Sequence, residues 1–398
     1  MRFPHIRHPL IFAMAFLVLN SCTRTENSAK ETPTDSMQMV KAPGKNDLLL
    51  LTDRPPNLET PLHYFLLDYT PNEVFFVRWH LSNIPLDINP DTFHLRIGGA
   101  VKKELSLSLK DLRSNYSPVT VTALAECAGN ARSFFDPAVP GAQWKNGGMG
   151  NAKWTGVPLK KILESAGLKP GSREISFNGM DAPPLPSVAD FVKSLPLNVC
   201  MDENVLVAYE MNGEKLPALN GFPLKLVVPG YYATYWVGML NEIRVYTDTF
   251  KGYWMDKAYR VPKGVRNGDE KPDSLATATE PMGKLDVRSI FVAPEPGEKV
   301  RQHAECNIQG LAFDGGDGIE KVELSSDSGK HWMTANLSTD LGRFSWRRWH
   351  FFWQPQAPGK ITWMVKATNA KGETQPFHQW NRSGYLRNEI EKLEIVVE

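Results

Sequence analysis

The sequence predicts an α+β domain followed by an all-β, immunoglobulin-like sandwich. Residues 119–127 alternate along the chain with the two-residue period of a β-strand, and a short helix is predicted over residues 157–166. A polar, turn-rich stretch then covers residues 250–284, which is typical of a domain boundary. Beyond it, short strands separated by turn signals recur over residues 289–367, as in a sandwich of about a hundred residues.

Composition excludes some classes of partner. The chain has 398 residues, of which 42% are hydrophobic and 22% are charged, so it can form two globular domains. Its 45 basic and 44 acidic residues nearly cancel, and no basic surface of the kind that binds nucleic acid is predicted. Eleven Trp and nineteen Phe residues predict aromatic-rich cores or an aromatic-lined pocket.

The N-terminus has the pattern of an export signal. Two separated arginines precede an apolar stretch at residues 10–19, which is too short to span a bilayer. The stretch ends in the sequence LNSC, which resembles a bacterial lipobox. We therefore predict a lipoprotein signal peptide at residues 1–22, a lipid on Cys22 as the only membrane attachment, and a flexible tether at residues 23–55. The expected location is the periplasmic side of a bacterial membrane.

The most informative stretch begins where the strand at residues 119–127 ends. Cys127 is its last residue, followed by two small residues and then by a loop rich in glycine and proline. Loops at strand ends commonly carry catalytic groups. A thiolate here can be a nucleophile or a ligand for a soft metal, and a small buried core cysteine is the alternative. Cys127, Cys200 and Cys306 are an odd number in the mature chain, which argues against a disulfide framework.

The motif C-A-G-N-x-R at residues 127–132, followed by G-N-A-K-W-T-G at residues 150–156, resembles the molybdenum-pterin domain of the sulfite oxidase family. The resemblance extends from about Phe75 to the C-terminus and includes the WNRSGYLRN segment near the end of the chain. In that family the cysteine binds molybdenum directly, so the resemblance implies Cys127 as the metal ligand and molybdenum-molybdopterin as the cofactor.

The same resemblance implies a domain organisation. The catalytic domain would cover residues 56–255 and the linker residues 256–284. Residues 285–398 would be the immunoglobulin-like dimerisation domain, which implies a homodimer.

Site residues follow from the matched motifs. In the segment FFVRWH, Arg78 and His80 lie on one face of a strand and match the family's R-x-H, in which the arginine faces the substrate and the histidine contacts the pterin. A solvated edge with an unrelated Arg and His is the alternative. Asp181 has two open interpretations, turn capping and cofactor contact. The cofactor-binding residues that the resemblance implies are His80, Cys127, Asn151, Lys153, Asn220 and Lys225.

A small oxyanion needs converging cations that do not titrate, and arginine meets this need with a forked donor edge. Trp144 would form a wall of the pocket, and Tyr235 would donate a hydrogen bond to an oxygen. Arg387 is the C-terminal candidate, with Arg382 as its alternate. The catalytic residues implied by the resemblance are Arg78, Arg132, Trp144, Tyr235 and Arg387.

The expected reaction is oxidation of sulfite to sulfate. The chain has no C-x-x-C-H haem motif, so a separate electron acceptor, such as a cytochrome c, is expected. One alternative is a molybdenum-pterin reductase of a sulfoxide or another oxo donor. A second is a cofactor-free lipoprotein on the same scaffold, and a third is a hydrolase with Cys127 as nucleophile and His80 as base. No twin-arginine motif is present, which leaves the export route open.

Overall fold

The computed structural model describes residues 38–265 and 268–398. The predicted signal peptide and Cys22 lie outside these residues. The described chain opens with an antiparallel sheet in the order β1-β2-β3-β4, formed by Met39–Ala42 (β1), Lys45–Thr52 (β2), Asn57–Glu59 (β3) and Val77–Arg78 (β4). The predicted tether is therefore wrong over β1 and β2. Because Leu48 packs with Leu58, Val77 and Trp79 in a buried cluster, this segment is part of the folded protein.

Two five-stranded sheets build the next part of the chain. One has the order β10-β9-β14-β5-β6, and the other has the order β12-β11-β8-β7, with β13 also paired to β11. The predicted strand at residues 119–127 is confirmed as β7, which ends one residue before Cys127. The strands are His94–Gly99 (β5), Leu105–Ser108 (β6), Val119–Glu126 (β7), Met149–Pro158 (β8), Glu174–Asn178 (β9), Lys193–Pro196 (β10), Leu206–Met211 (β11), Glu214–Lys215 (β12), Lys225–Val227 (β13) and Glu242–Tyr246 (β14).

The helices are short and lie against these sheets. They are Leu109–Asn115 (α1), Leu159–Ala166 (α2), Leu197–Cys200 (α3) and Tyr253–Asp256 (α4). Helix α1 begins with a capping box, in which Ser108 Oγ accepts from the backbone N–H of Asp111 and the Asp111 carboxylate accepts from the backbone N–H of Ser108. The helix predicted over residues 157–166 is confirmed as α2, which starts two residues later.

Short 3₁₀ turns connect several of these elements. They are Leu62–Leu66, Asn72–Val74, Arg132–Phe134, Ala218–Asn220 and Ala233–Tyr235. In the described ranges, no helix has the length and apolar character needed to cross a bilayer.

The predicted linker at residues 256–284 is more ordered than its composition indicates. It contains an antiparallel pair formed by Arg260–Pro262 (β15) and Thr279–Pro281 (β16). Tyr259 immediately precedes β15 and is buried, with its ring stacked on that of Tyr385 at 5.2 Å between centroids. The segment therefore packs against both halves of the chain, because Tyr259 contacts Tyr385 on one side and Arg78 on the other.

The C-terminal part is formed by two β-sheets. Their orders are β17-β19-β23-β22 and β18-β25-β24-β20-β21, and a buried cluster that includes Trp349, Trp363 and Val322 packs within this part. All pairs are antiparallel except β18 with β25. The assignment to the immunoglobulin-like class stays a prediction. The strands are Arg288–Ala293 (β17), Lys299–Val300 (β18), Cys306–Phe313 (β19), Ile319–Ser325 (β20), Met333–Thr334 (β21), Asn336–Leu337 (β22), Arg347–Trp353 (β23), Gly359–Asn369 (β24) and Glu391–Val397 (β25).

A buried ionic network joins the end of β7 to the C-terminal sheets. Arg288, at the start of β17, donates to Glu126 Oε1 at 3.1 Å, to Glu391 Oε1 at 2.7 Å and to Asn146 Oδ1 at 2.6 Å. Glu126 also accepts from Asn130 Nδ2 at 3.0 Å. Breaking a buried ion pair by removing one partner is strongly destabilising, so this network anchors the residue that precedes Cys127.

Candidate active site

A cavity lies between β4, the end of β7 and the chain around residues 219–238. Its walls are largely aromatic and aliphatic, as is usual for cofactor and ligand pockets. Five residues predicted from the sequence line it together: Arg78, His80, Cys127, Asn220 and Lys225.

Cys127 lies where β7 gives way to the loop. Its backbone N–H donates to the carbonyl of Gly148 at 2.8 Å, and its own carbonyl accepts from the N–H of Asn130 at 2.9 Å. The thiol is free and lines the cavity. In the described part of the chain, no group of three or more His, Cys, Asp and Glu side chains could hold a metal ion. A free thiol in this position can serve as a single soft ligand, so Cys127 fits the role that the resemblance implies.

A tyrosine absent from the sequence prediction completes the polar wall. The Tyr259 hydroxyl accepts from Arg78 Nη2 at 3.3 Å and is hydrogen-bonded to His80 Nε2. Burial lowers the pKa of His80 well below its usual value, and the positive charges of Arg78 and Lys193 lower it further. Because the Tyr259 hydroxyl already accepts from Arg78, an unprotonated His80 Nε2 that accepts the Tyr259 proton would satisfy all three groups.

The predicted role of Tyr235 is not supported by its position. Its hydroxyl donates to the backbone carbonyl of Met282 at 2.6 Å, and the side chain is buried outside the cavity lining. Since a phenol has one proton, that proton is already used. Tyr259, and not Tyr235, lines the cavity. The sequence gives no local signal for it, because Tyr259 lies in the segment predicted as a linker and reaches Arg78 only through the fold.

Three other predicted residues lie away from the cavity lining. Trp144 is fully buried and packs edge-to-face on Phe76, which does line the cavity, at 6.3 Å. Asn151 donates to the carbonyl of Asp68 at 2.9 Å and to Ser345 Oγ at 2.8 Å. Lys153 is exposed, and its ammonium lies 4.7 Å from the ring centroid of Tyr69. Neither Asn151 nor Lys153 reaches the cavity, because the long strand β8 carries both of them beyond it.

The three predicted arginines besides Arg78 do not line the cavity. Arg132 donates to the carbonyls of Gly384 at 3.1 Å and Ala142 at 3.0 Å. Its guanidinium lies 5.1 Å from the ring centroid of Tyr385, which stacks on Tyr259, so it is one aromatic layer behind the wall.

The two C-terminal candidates are engaged elsewhere. Arg387 pairs with Glu391 at 3.0 Å, and Arg382 pairs with Glu270 at 2.5 Å. Each arginine sits next to a carboxylate that compensates its charge, and neither lines the cavity.

An unpredicted lysine supplies charge behind Tyr259. Lys193, at the start of β10, is 1% exposed, and its ammonium donates to the carbonyl of Trp254 at 2.6 Å. It lies 4.9 Å from the Tyr259 ring centroid and 5.0 Å from that of Tyr235. Burial lowers the pKa of Lys193 to about 7.

The cavity therefore carries positive charge that the protein does not neutralise. Across residues 38–265 and 268–398, no carboxylate lies within ion-pair distance of Arg78, Lys193 or Lys225. Asp181 also lines the cavity, but burial, and then Asp190, raise its pKa to about 7. Buried cations without partners are costly, so this cavity suits an anionic group.

Comparisons with known proteins identify the family. The family model "Oxidoreductase molybdopterin binding domain" matches residues 80–254, and "Mo-co oxidoreductase dimerisation domain" matches residues 279–398. The sulfite oxidase of Gallus gallus is 32% identical over 351 residues, which cover 84% of this chain and 75% of that protein. The chain belongs to the sulfite oxidase family.

Two further similarities show how much of each relative the chain covers. The mitochondrial sulfite oxidase of Homo sapiens is 32% identical over 367 residues, and the chain spans only 65% of its length. The solved structure of the sulfane dehydrogenase SoxCD from Paracoccus pantotrophus matches with a TM-score of 0.74 and 25% identity. That match covers 94% of this chain and 93% of the other.

The chain thus has the molybdopterin-binding domain of an oxidoreductase, which implies a molybdenum-molybdopterin cofactor. The residues of the cavity fit this group. Cys127 would bind the metal, His80 would contact the pterin, and Asn220 and Lys225 would face its phosphate, all of them lining one cavity with uncompensated positive charge. When bound, the cofactor supplies two-electron oxygen-transfer chemistry.

Proposed function

We propose that this sulfite oxidase family member oxidises sulfite to sulfate. The balanced reaction consumes one sulfite and one water and yields sulfate, two protons and two electrons. The observation that carries the proposal is the coincidence in one cavity of the Cys127 thiol with Arg78, an arginine that has no carboxylate partner among the described residues. The sulfite oxidases among its relatives support the same substrate class.

Arg78 would bind the oxyanion. Its Nη1 donates to Asn57 Oδ1 at 3.1 Å and to the carbonyl of Trp79, and its Nη2 donates to Tyr259. These contacts leave two of its five N–H donors without a partner among the residues described, and they fix the guanidinium. A preorganised cation of this kind stabilises a charged reactant without reorganisation at the moment of reaction.

Tyr259 would donate a hydrogen bond to the oxyanion. Its hydroxyl can turn from His80 Nε2 toward an oxygen in the cavity. Burial, and then the positive charges of Arg78 and Lys193, lower the pKa of His80 and so disfavour its protonated form.

The remaining expectations are part of the same proposal. Electrons would pass to a separate acceptor such as a cytochrome c, because the sequence carries no haem-attachment motif. The dimerisation-domain match supports a homodimer formed through residues 279–398. The LNSC sequence supports an exported lipoprotein anchored through Cys22.

A sulfane-sulfur substrate is the second candidate. It is favoured by the similarity to the sulfane dehydrogenase over nearly the whole chain. The hydrolase alternative has less support, because His80 Nε2 is hydrogen-bonded to Tyr259.

The test is sulfite-dependent reduction of ferricyanide and of cytochrome c by purified protein of measured molybdenum content. We expect turnover with both acceptors in proportion to bound molybdenum. Molybdenum without sulfite turnover would contradict the proposal. Two assays would then separate the alternatives. Oxidation of a protein-bound persulfide would favour the sulfane substrate, and reduction of a sulfoxide by a reduced dye would favour the reductase.

Replacing Tyr259 by phenylalanine is expected to lower kcat/KM for sulfite by about 10–100-fold, the effect of losing one hydrogen bond to a charged group. Steady-state kinetics at several pH values measure this effect. The matched control is Tyr235→Phe, which removes the hydroxyl bound to the Met282 carbonyl. It should lower the melting temperature and leave kcat/KM nearly unchanged. If instead Tyr235→Phe lowered kcat/KM and Tyr259→Phe did not, Tyr235 would be the active-site hydrogen-bond donor, as the sequence predicted.

A further inference from the structure

A second buried lysine lies behind the lining of the cofactor cavity, in the N-terminal sheet. Lys45, the first residue of β2, is 3% exposed. Its ammonium donates to the carbonyls of Asn72 at 2.5 Å and Phe75 at 3.0 Å, and to the side-chain carbonyl of Asn220. These three contacts use all three N–H groups of the ammonium. Asn220 in turn donates through Nδ2 to the carbonyl of Phe76 at 3.0 Å, so its side chain is fixed at both ends.

The charge of Lys45 has no acidic partner at contact distance. Within the described ranges, no carboxylate forms an ion pair with it, and Glu73 attracts it only from farther away. Burial lowers the pKa of Lys45 to about 7, Glu73 partly opposes this, and the positive charge of Lys225 reinforces it. Burial likewise lowers the pKa of Lys225 to about 8. A buried ammonium group and a half-buried one that repel each other are unfavourable unless an anion lies near them.

Lys45 and Lys225 lie at the same end of the cavity. Asn220 and Lys225 line it directly, and Lys45 stands behind Asn220. Molybdopterin, which would bind in this cavity, carries an anionic phosphate. A phosphate at this end would offset both ammonium charges and would raise the pKa of each.

We propose that Lys45 is a positioning residue that retains the phosphate end of molybdopterin, by fixing the side chain of Asn220 and by adding a buried positive charge beside Lys225. The N-terminal sheet thereby becomes part of the cofactor site. This inference concerns retention of the cofactor, so it is independent of which substrate is oxidised.

Three variants separate charge from packing. Lys45→Met removes both the charge and the hydrogen bonds, whereas Lys45→Gln removes the charge and keeps amide donors for the carbonyl groups. The matched control is Lys41→Gln, because Lys41 lies on the neighbouring strand β1 of the same sheet and is exposed. All are produced and purified in parallel with the wild type. Molybdenum and pterin per chain are measured at purification and during dialysis, and circular dichroism checks folding.

We expect Lys45→Gln and Lys45→Met to lose pterin at least about tenfold faster than the wild type, a factor that corresponds to about 1.4 kcal/mol. Lys41→Gln should match the wild type. Lys45→Gln that retains molybdenum and pterin like the wild type would overturn the inference, as would equal loss from Lys41→Gln. If Lys45→Met does not fold, Lys45→Gln decides. A wild type that holds molybdenum but does not oxidise sulfite would refute the proposed function alone, since retention is measured without substrate.

Discussion

Cys127→Ser is expected to abolish sulfite turnover, with a fall of at least about 10³-fold, since residues that only support a metal ligand already change activity by about 10–100-fold. A serine hydroxyl has nearly the same shape as the thiol, but it does not ionise readily or offer a soft sulfur ligand. The backbone contacts of Cys127 with Gly148 and Asn130 do not involve the thiol, so the loop should keep its conformation. Turnover and molybdenum content, measured together, check this expectation.

The control for this variant is Cys306→Ser. Cys306 is a partly exposed free thiol at the start of β19, outside the cavity. The Cys306→Ser variant should retain wild-type turnover and molybdenum content. Wild-type-like turnover in Cys127→Ser would remove Cys127 from its role as the metal ligand.

Arg78→Gln is expected to lower kcat/KM for sulfite by about 10²-fold, because losing one partner of a buried charged contact costs about 2–5 kcal/mol. Arg78 is the one arginine that lines the cavity in the described part of the chain. Most of the loss should be in KM if Arg78 mainly binds the oxyanion, and in kcat if it acts on the transition state. Initial rates over a range of sulfite concentrations distinguish the two.

Arg382→Gln is the matched control for Arg78. Its ion pair with Glu270 lies outside the cavity lining, so kcat/KM should change little although stability falls. An equal loss of kcat/KM in both variants would mean that the effect of Arg78→Gln is not specific to the cavity.

Local sequence signals predict the frame of this site well. The alternation of β7 and the motif after it place Cys127 at a strand end, and the same reasoning places Arg78 and His80 on one face of the chain. Each of these predictions depends on neighbours a few residues apart. The β-rich C-terminal half is predicted for the same reason, because turn signals between short strands are local.

Residues that reach the cavity through the fold are not predictable in this way. Tyr259 contacts Arg78 across 181 positions of sequence, and Lys45 contacts Asn220 across 175. Neither lies in a motif, and both lie in segments whose polar composition predicted a linker or a tether. Arg387 shows the opposite error, because a closing motif rich in arginine does not reveal that Glu391 pairs with this residue.

The network around Arg288 has a consequence for the order of events during synthesis. Arg288 is made 162 residues after Glu126, and Glu391 follows after 103 more. At about 5–20 residues per second, the ribosome needs from roughly ten seconds to about a minute after Glu126 to provide both Arg288 and its second partner, Glu391. For the first 162 residues of that interval, the carboxylate next to Cys127 lacks its counter-charge, Arg288. We therefore expect molybdopterin to enter a finished polypeptide, and a nascent chain released before β25 to remain empty of cofactor.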